Sequence, residues 1–183
     1  VIKQQFPVIE NYVRIADNLG SGVITYNDNK ATDRKLLKGG NIKYADGNFL
    51  SVFSFPLLSG TPSLDEPKTL ALSETMSKKL FGSVNAAGKT VTVSNQFGNV
   101  LDTVKAVYRL PENSDIKAQV LLSFQTLAAA ANRDGNDWAD PATLDNGFTT
   151  IYLQVRKDTK AQALAGGITN YLRSINPGSK TDV

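Results

Sequence analysis

Short strand-like apolar runs punctuated by turns, with one well-marked helix, fill most of the first 109 residues, and in the last third the pattern changes to strands alternating with helices. Ile2 to Phe6 reads as the tail of a helix that Pro7 stops, since proline lacks the donor and crowds the preceding turn. Tyr12 to Ile15 and Val23 to Tyr26 are strand-like runs separated by Asp17-Asn18-Leu19-Gly20-Ser21-Gly22 and closed by Asn27-Asp28-Asn29. Gly39-Gly40 marks a break, and a further strand starts at Ile42 to Tyr44. Asn48 to Phe53 predicts one helical turn before Pro56, and Thr61 to Lys68, with two prolines, a loop.

The helix over Ser73 to Phe81 carries the clearest punctuation. Ser73 is placed as N-cap, Met76 and Leu80 stack at i and i+4, and Gly82 takes the position past the last turn. Met76 and Leu80 should therefore be buried, with Lys78 and Lys79 in solvent. A hairpin follows, with arms Thr90 to Val93 and Val100 to Arg109 and a turn over Ser94 to Asn99. Strict alternation puts Val100, Val104, Ala106 and Tyr108 on one face of its second arm.

In the last third, Ala118 to Leu122 reads as a strand, Ser123 as an N-cap and Phe124 to Ala131 as an alanine-rich helix. Asn132 to Gly147 is a polar loop around Trp138, and Thr150 to Arg156 alternates with Ile151, Leu153 and Val155 on one side. Thr159-x-x-Gln162 has the form of a capping box opening a helix striped by Leu164, Ile168, Leu172 and Ile175, which Pro177-Gly178 ends. The strand-helix-strand-helix order is a split βαβ signal, so the fold class is α+β.

At 183 residues with 41% hydrophobic content the chain can bury one sizeable core or two small ones. No apolar run approaches the roughly 18 residues that span a bilayer. The start at Val1, without a methionine or signal pattern, fits a piece of a longer protein trimmed at its membrane ends, and equally a mature secreted domain. The 20 basic and 17 acidic residues are scattered, so the net charge of +3 serves solubility and no nucleic-acid partner is expected. With neither cysteine nor histidine, disulfides, thiolate nucleophiles, imidazole bases and most hydrolase triads are excluded.

The remaining motifs carry little chemistry. Gly82, Gly88, Lys89 and Thr90 approach the phosphate-loop pattern, but five residues separate the glycines and a helix precedes the loop instead of following it. A helix C-terminus repels phosphate. Ser114-x-x-Lys117 matches a serine-lysine dyad but leads into a strand, and no Lys-Thr-Gly accompanies it. Asn132 to Asp137 hints at a calcium loop, yet alignment on Gly135 puts Ala130 and Pro141 where carboxylates are needed; Asp134, Asp137 and Asp140 are the residues left for adventitious calcium. Phe49, Phe53 and Phe55 read as core, with a docking edge through Phe53 and Phe55 as the functional alternative. Phe97, at a polar hairpin tip, is the best single candidate for a partner contact and is expected to be partly exposed, with packing back onto its own arms the competing reading. No catalytic residue, metal site or cofactor is expected.

Several blocks in order carry a resemblance: Phe6-Pro7-Val8-Ile9-Glu10-Asn11-Tyr12-Val13-Arg14-Ile15, Tyr44-Ala45-Asp46-Gly47-Asn48-Phe49, Phe53-Ser54-Phe55-Pro56-Leu57-Leu58-Ser59-Gly60, and Leu72 through Gly82. Gly88-Lys89-Thr90-Val91 and Leu110-Pro111-Glu112-Asn113-Ser114 complete it. Over about Phe6 to Phe124 the chain resembles the MacB-like periplasmic core domain of bacterial ABC-transporter permeases, most of all the Bacteroides-type branch. The resemblance implies a porter-like α+β subdomain over residues 1–39 and 114–183, interrupted by a small β-rich, sabre-like subdomain over 40–113. It implies a non-catalytic domain on the periplasmic side of the inner membrane that passes ATP-driven motion of flanking membrane helices to a periplasmic substrate or adaptor. The implied partners are a separate cytoplasmic ATPase, a second permease protomer, and an adaptor or substrate. A free-standing secreted peptide- or glycan-binding module is the alternative. In the family a strand and most of a helix precede the residues matching Val1 to Phe6. The porter-like part is thus expected to be truncated, with a free edge near Ala118–Leu122 and Thr150–Arg156 that pairs with another chain.

Overall fold

The computed structural model describes residues 2–17, 19–27, 34–39, 41–143 and 147–176. Asp28-Asn29, Gly40 and Pro177-Gly178, which the sequence pattern marks as breaks, lie outside them. The chain opens with α1 (Ile2–Gln5), β1 (Ile9–Ala16), β2 (Gly22–Asn27), β3 (Arg34–Gly39) and β4 (Ile42–Ala45). Then come α2 (Phe49–Val52), β5 (Leu57–Gly60), β6 (Thr69–Ser73), α3 (Glu74–Phe81), β7 (Thr90–Asn95) and β8 (Gly98–Tyr108). It ends with β9 (Val120–Ser123), α4 (Gln125–Ala128), β10 (Thr150–Val155) and α5 (Ala161–Ile175), with single 3₁₀ turns at Ala130–Asn132 and Asp137–Ala139. This is a mixed α+β fold with few helices.

The chain forms two compact units: Val13 to Ile151, and the residues up to Tyr12 together with those from Tyr152 onward. In the larger unit the sheet runs β1-β4-β9-β6-β8-β7-β2-β3, with β5 also on β8. The division expected at residues 39/40 and 113/114 runs through this sheet, because β4 pairs parallel to β9 and β6 pairs antiparallel to it.

Each face of the sheet carries its own core. Leu70, Leu72, Val104, Val107, Val120 and Leu122 face one; Ala71, Ala106, Tyr108 and Leu121 face the other. All five residues of β6 are buried, since strands flank it on both edges and a core covers each face. Period-two reading needs one correction on β8. Leu70 pairs with Val104 but Ala71 with Ala106, so a bulge at Lys105 shifts the alternation. Val104 therefore faces one core, and Ala106 and Tyr108 the other.

Helix α3 follows its sequence signals. Ser73 Oγ accepts the Met76 N–H at 3.2 Å, and Gly82, at φ 69°, closes the helix by donating to Lys78 O at 2.9 Å. Met76 and Leu80 are buried, and Lys78 and Lys79 are exposed. Four expectations fail locally. The hairpin turn is Gln96-Phe97 alone, not Ser94 to Asn99, since Asn95 pairs with Gly98. The alanine-rich helix breaks after Ala128, where Ala129 is extended (φ −88°, ψ 122°), and Ser123 Oγ is shared between the Gln125 N–H and Leu64 O. Strand β9 starts at Val120, not Ala118. Finally, α5 starts after Lys160, so Gln162 is not three residues past its cap, and Thr159 Oγ1 is buried without a partner among the described residues.

In the smaller unit, Ile9 and Ile168 are the buried hydrophobics among the described residues. Asn11 Nδ2 donates to Gln154 Oε1 at 2.7 Å, the Arg156 N–H to Val8 O at 3.0 Å, and Phe6 meets Tyr171 edge-on at 6.0 Å. Gly167 permits that packing, because a Cβ there would lie 3.2 Å from the Phe6 ring.

Candidate functional site

The motifs that suggested chemistry are engaged structurally. The Gly88 N–H donates to Val104 O at 2.8 Å and the Lys89 N–H to Ala86 O at 3.0 Å, so neither amide is free for phosphate. The Lys89 ammonium lies over the Phe81 ring, 4.8 Å from its centre. Ser114 Oγ turns onto Ile116, accepting from its N–H and donating to its carbonyl, both at 3.1 Å, while Lys117 Nζ donates to Glu112 O at 2.7 Å. The dyad is not assembled. In the acidic loop a cation is already built in. Buried Arg133 donates from Nη1 to Leu127 O at 2.9 Å and pairs with Asp137 and Asp140, each at 3.3 Å. Among the described residues no group of three or more acidic side chains is arranged to hold a metal.

The aromatic candidates need correction. Phe97 is 3% exposed, where partial exposure was expected. The tight turn swings its ring inward, edge-on to Tyr44 at 5.8 Å and 6.3 Å from Trp138. Phe55 is buried against Tyr108, and Phe53 is half-buried beside Phe49 and Phe55. The three belong to two different cores and form no common exposed patch.

What the sequence reading missed lies on the outer edge of β8. From Gly98 to Thr103 one edge of β8 pairs with β7, while among the described residues the other is met only at Thr103, where β6 begins alongside it. The Val104 N–H donates to Lys89 O on the β7 side and the Thr103 N–H to Lys68 O on the other, which fixes the alternation. By that alternation the main-chain groups of Asn99 and Leu101 point away from β7, and neither has a hydrogen-bond partner among the described residues. A groove of about 550 Å³ lies along this edge, with Ala131, Asn132 and Asp134 on its far wall. Asp134 sits at the Gly98 end, where a Cβ on Gly98 would be 3.5 Å from its carboxylate. Lys68 sits at the Thr103 end, at φ 56°, exposed and making no ion pair among the described residues.

Beside this edge Asp102 faces inward, 2% exposed, and burial pushes its carboxyl up to about 7, with only the charge of Lys68 opposing. Burial likewise pushes the Tyr44 phenol up to about 12, although it accepts from Asn95 Nδ2 at 3.3 Å. One signal for this was in the sequence: Asp102 interrupts the apolar face Val100-x-Asp102-x-Val104.

The described residues form a mixed-sheet α+β fold, and the motifs that suggested chemistry are not assembled into a reaction centre among them. The chain belongs to the MacB-like periplasmic core domain family, whose sequence model matches residues 1–171. That is a domain family of ABC-type permeases. Its fold is similar to a domain of a putative permease protein from Porphyromonas gingivalis, at a TM-score of 0.66 and 21% identity, covering 94% of this chain and 68% of that one. It is also similar to the periplasmic region of MacB from Actinobacillus actinomycetemcomitans (TM-score 0.63, 16% identity, 95% and 70% covered). A third similar fold is the extracellular domain of the noncanonic ABC-type transporter YknZ from Gram-positive bacteria (0.64, 15%, 98% and 81%). No curated protein matches the chain. No helix among the described residues is long and apolar enough to cross a membrane.

Proposed function

We propose that this is the non-catalytic extracytoplasmic domain of an ABC-type export permease, transmitting ATP-driven motion of membrane helices to a periplasmic substrate or adaptor. ATP hydrolysis takes place on a separate cytoplasmic ATPase, and a second permease protomer supplies the other half of the moving pair. The family match over residues 1–171 carries this reading. In it, residues 1–39 and 114–183 form the porter-like part and residues 40–113 the sabre-like part. Pairing of β4 and β6 with β9 ties residues 42–45 and 70–72 to residues 120–123, so the sabre-like part does not swing free. A force applied to such a sheet displaces it as a body, because close-packed cores do not deform continuously.

The experiment uses the whole permease with its ATPase in nanodiscs, and it exploits the absence of cysteine from this chain. Spin labels at the exposed Lys78 and Glu112 report two distances by double electron–electron resonance. The Lys78–Lys78 distance between protomers should change on ATP binding, while the Lys78–Glu112 distance within one domain stays fixed. An unchanged inter-protomer distance, or a changed internal one, overturns the proposal.

A further inference from the structure

The unpaired edge of β8 and the groove beside it point to a ligand. We propose that residues 98–102 take an extended peptide as an added strand, parallel to β8 and in line with β6, with the peptide's C-terminal carboxylate at Lys68. This goes beyond the transport reading and does not rest on it, since an isolated domain would bind the peptide equally well.

Three observations set the occupant. The lane beside β8 is filled from Thr103 onward by β6, which runs parallel to β8, so the same pleat and spacing continue past its end. The main chains of Asn99 and Leu101 offer two N–H donors and two carbonyl acceptors to it. Those are what β-strand addition uses for affinity. The ends of the lane carry opposite charges: Asp134 beside Gly98 and Lys68 at Thr103. A peptide parallel to β8 sets its amino end at the aspartate and its carboxylate at the lysine. The antiparallel direction brings like charges together at both ends.

Five residues, Gly98 to Asp102, at about 3.3 Å each give room for about a pentapeptide. Specificity comes from alternation. Inward side chains of the peptide meet Phe97, Val100 and Ala131, which favours small apolar residues, and outward ones lie beside exposed Leu101. A folded second copy fits less well. The groove has a far wall at residues 131–134, and a partner sheet would have to bring its own wall into the same space.

The test is titration of the ¹⁵N-labelled chain with the pentapeptide Val-Thr-Val-Thr-Val, both ends free, read by amide shifts and hydrogen exchange. The expected result is saturable binding with exchange slowed at Asn99 and Leu101 and unchanged at Val100, which already bonds to β7. Amidating the peptide's C-terminus, or Lys68→Gln, should weaken binding by up to about fivefold, as for an exposed ion pair. Leu101→Pro should abolish it, since proline is tolerated where the N–H faces outward but cannot donate. Should that variant misfold, N-methylation of the peptide at alternate residues gives the same readout on the unaltered chain: one of the two sets abolishes binding. Absence of saturable shifts at millimolar peptide overturns the proposal, as do shifts without the alternation. So does protection of Asn99 and Leu101 in the free chain that grows with protein concentration, which would assign the edge to a second copy.

Discussion

Strands β6 and β10 invert what their sequences suggest. Thr69-Leu70-Ala71-Leu72-Ser73 has no strict alternation and is buried at every position. Thr150 to Val155 alternates cleanly, yet no residue in it is buried: Ile151 is 49% exposed and Tyr152 39%. Pattern records which face a residue takes, whereas burial depends on how many elements cover that face. Strand β6 has a strand on each edge and a core on each side. In the smaller unit, by contrast, Ile9 and Ile168 are the only buried hydrophobics among the described residues. Among the described residues, one unit carries two extended cores and the other two buried hydrophobic side chains.

The largest expected effects break or keep that contrast directly. Phe97→Ala should cost about 3–5 kcal/mol, and Leu80→Ala and Met76→Ala about 2–5 kcal/mol each, the usual range for large apolar side chains cut to alanine in a core. Ile175→Ala on α5, at 51% exposure, should stay within about 0.5 kcal/mol. Urea melts of the four variants measure this. A near-neutral Phe97→Ala would return that ring to the surface and restore it as a contact candidate.

The residues concerned also show what was legible in the sequence. Helix α3 was readable throughout, because a capping serine, an i, i+4 apolar pair and a glycine stop all act within one short segment. Family membership was readable from several weak blocks in order. Phe97 was not, because a hairpin tip looks solvated until Tyr44, some 50 residues earlier, is placed beneath it. Strand β6 was not either, because a doubly covered strand lacks alternation. The bulge at Lys105 is a register choice made between β6 and β8, and the edge at Asn99 and Leu101 is defined by where another strand begins. Neither is a property of its own segment.

Each unit also buries a polar group, the Asp102 carboxyl in one and the Thr159 hydroxyl in the other, and of these two the carboxyl responds to pH. Asp102 in the larger unit has its carboxyl raised from 3.8 to about 7 by burial. Between those values the unfolded chain is ionised while the folded chain holds the proton, so folding binds a proton and stability falls as pH rises. The contribution is fully present below about pH 4 and gone above about pH 7. At about 1.4 kcal/mol per pH unit it amounts to at most about 4 kcal/mol. Asp102→Asn keeps a neutral side chain of the same shape, so it should match the parent at pH 4 and exceed it in stability at pH 8. Urea melts at the two pH values give the difference directly, with all other titrating groups cancelling between parent and variant. Equal pH profiles would mean that Asp102 is solvated.

The smallest effect tests the smaller unit. Thr159 has the sequence of a capping residue, and a working cap replaced by valine costs about 1 kcal/mol. In the structure α5 is capped instead at Lys160, without a side-chain bond, and the Thr159 hydroxyl is buried with no partner among the described residues. The Thr159 N–H closes a turn onto Arg156 O at 3.0 Å, which valine preserves. Removing an unsatisfied buried hydroxyl while keeping its shape relieves a desolvation cost. Thr159→Val should therefore be neutral or stabilising by up to about 1 kcal/mol. Threonine and valine differ only in the hydroxyl, so packing and β-branching cancel and the sign alone decides. A loss of about 1 kcal/mol in the same urea melts would reinstate the capping box. It would also move the start of α5 one residue earlier, to a helix capped by Thr159.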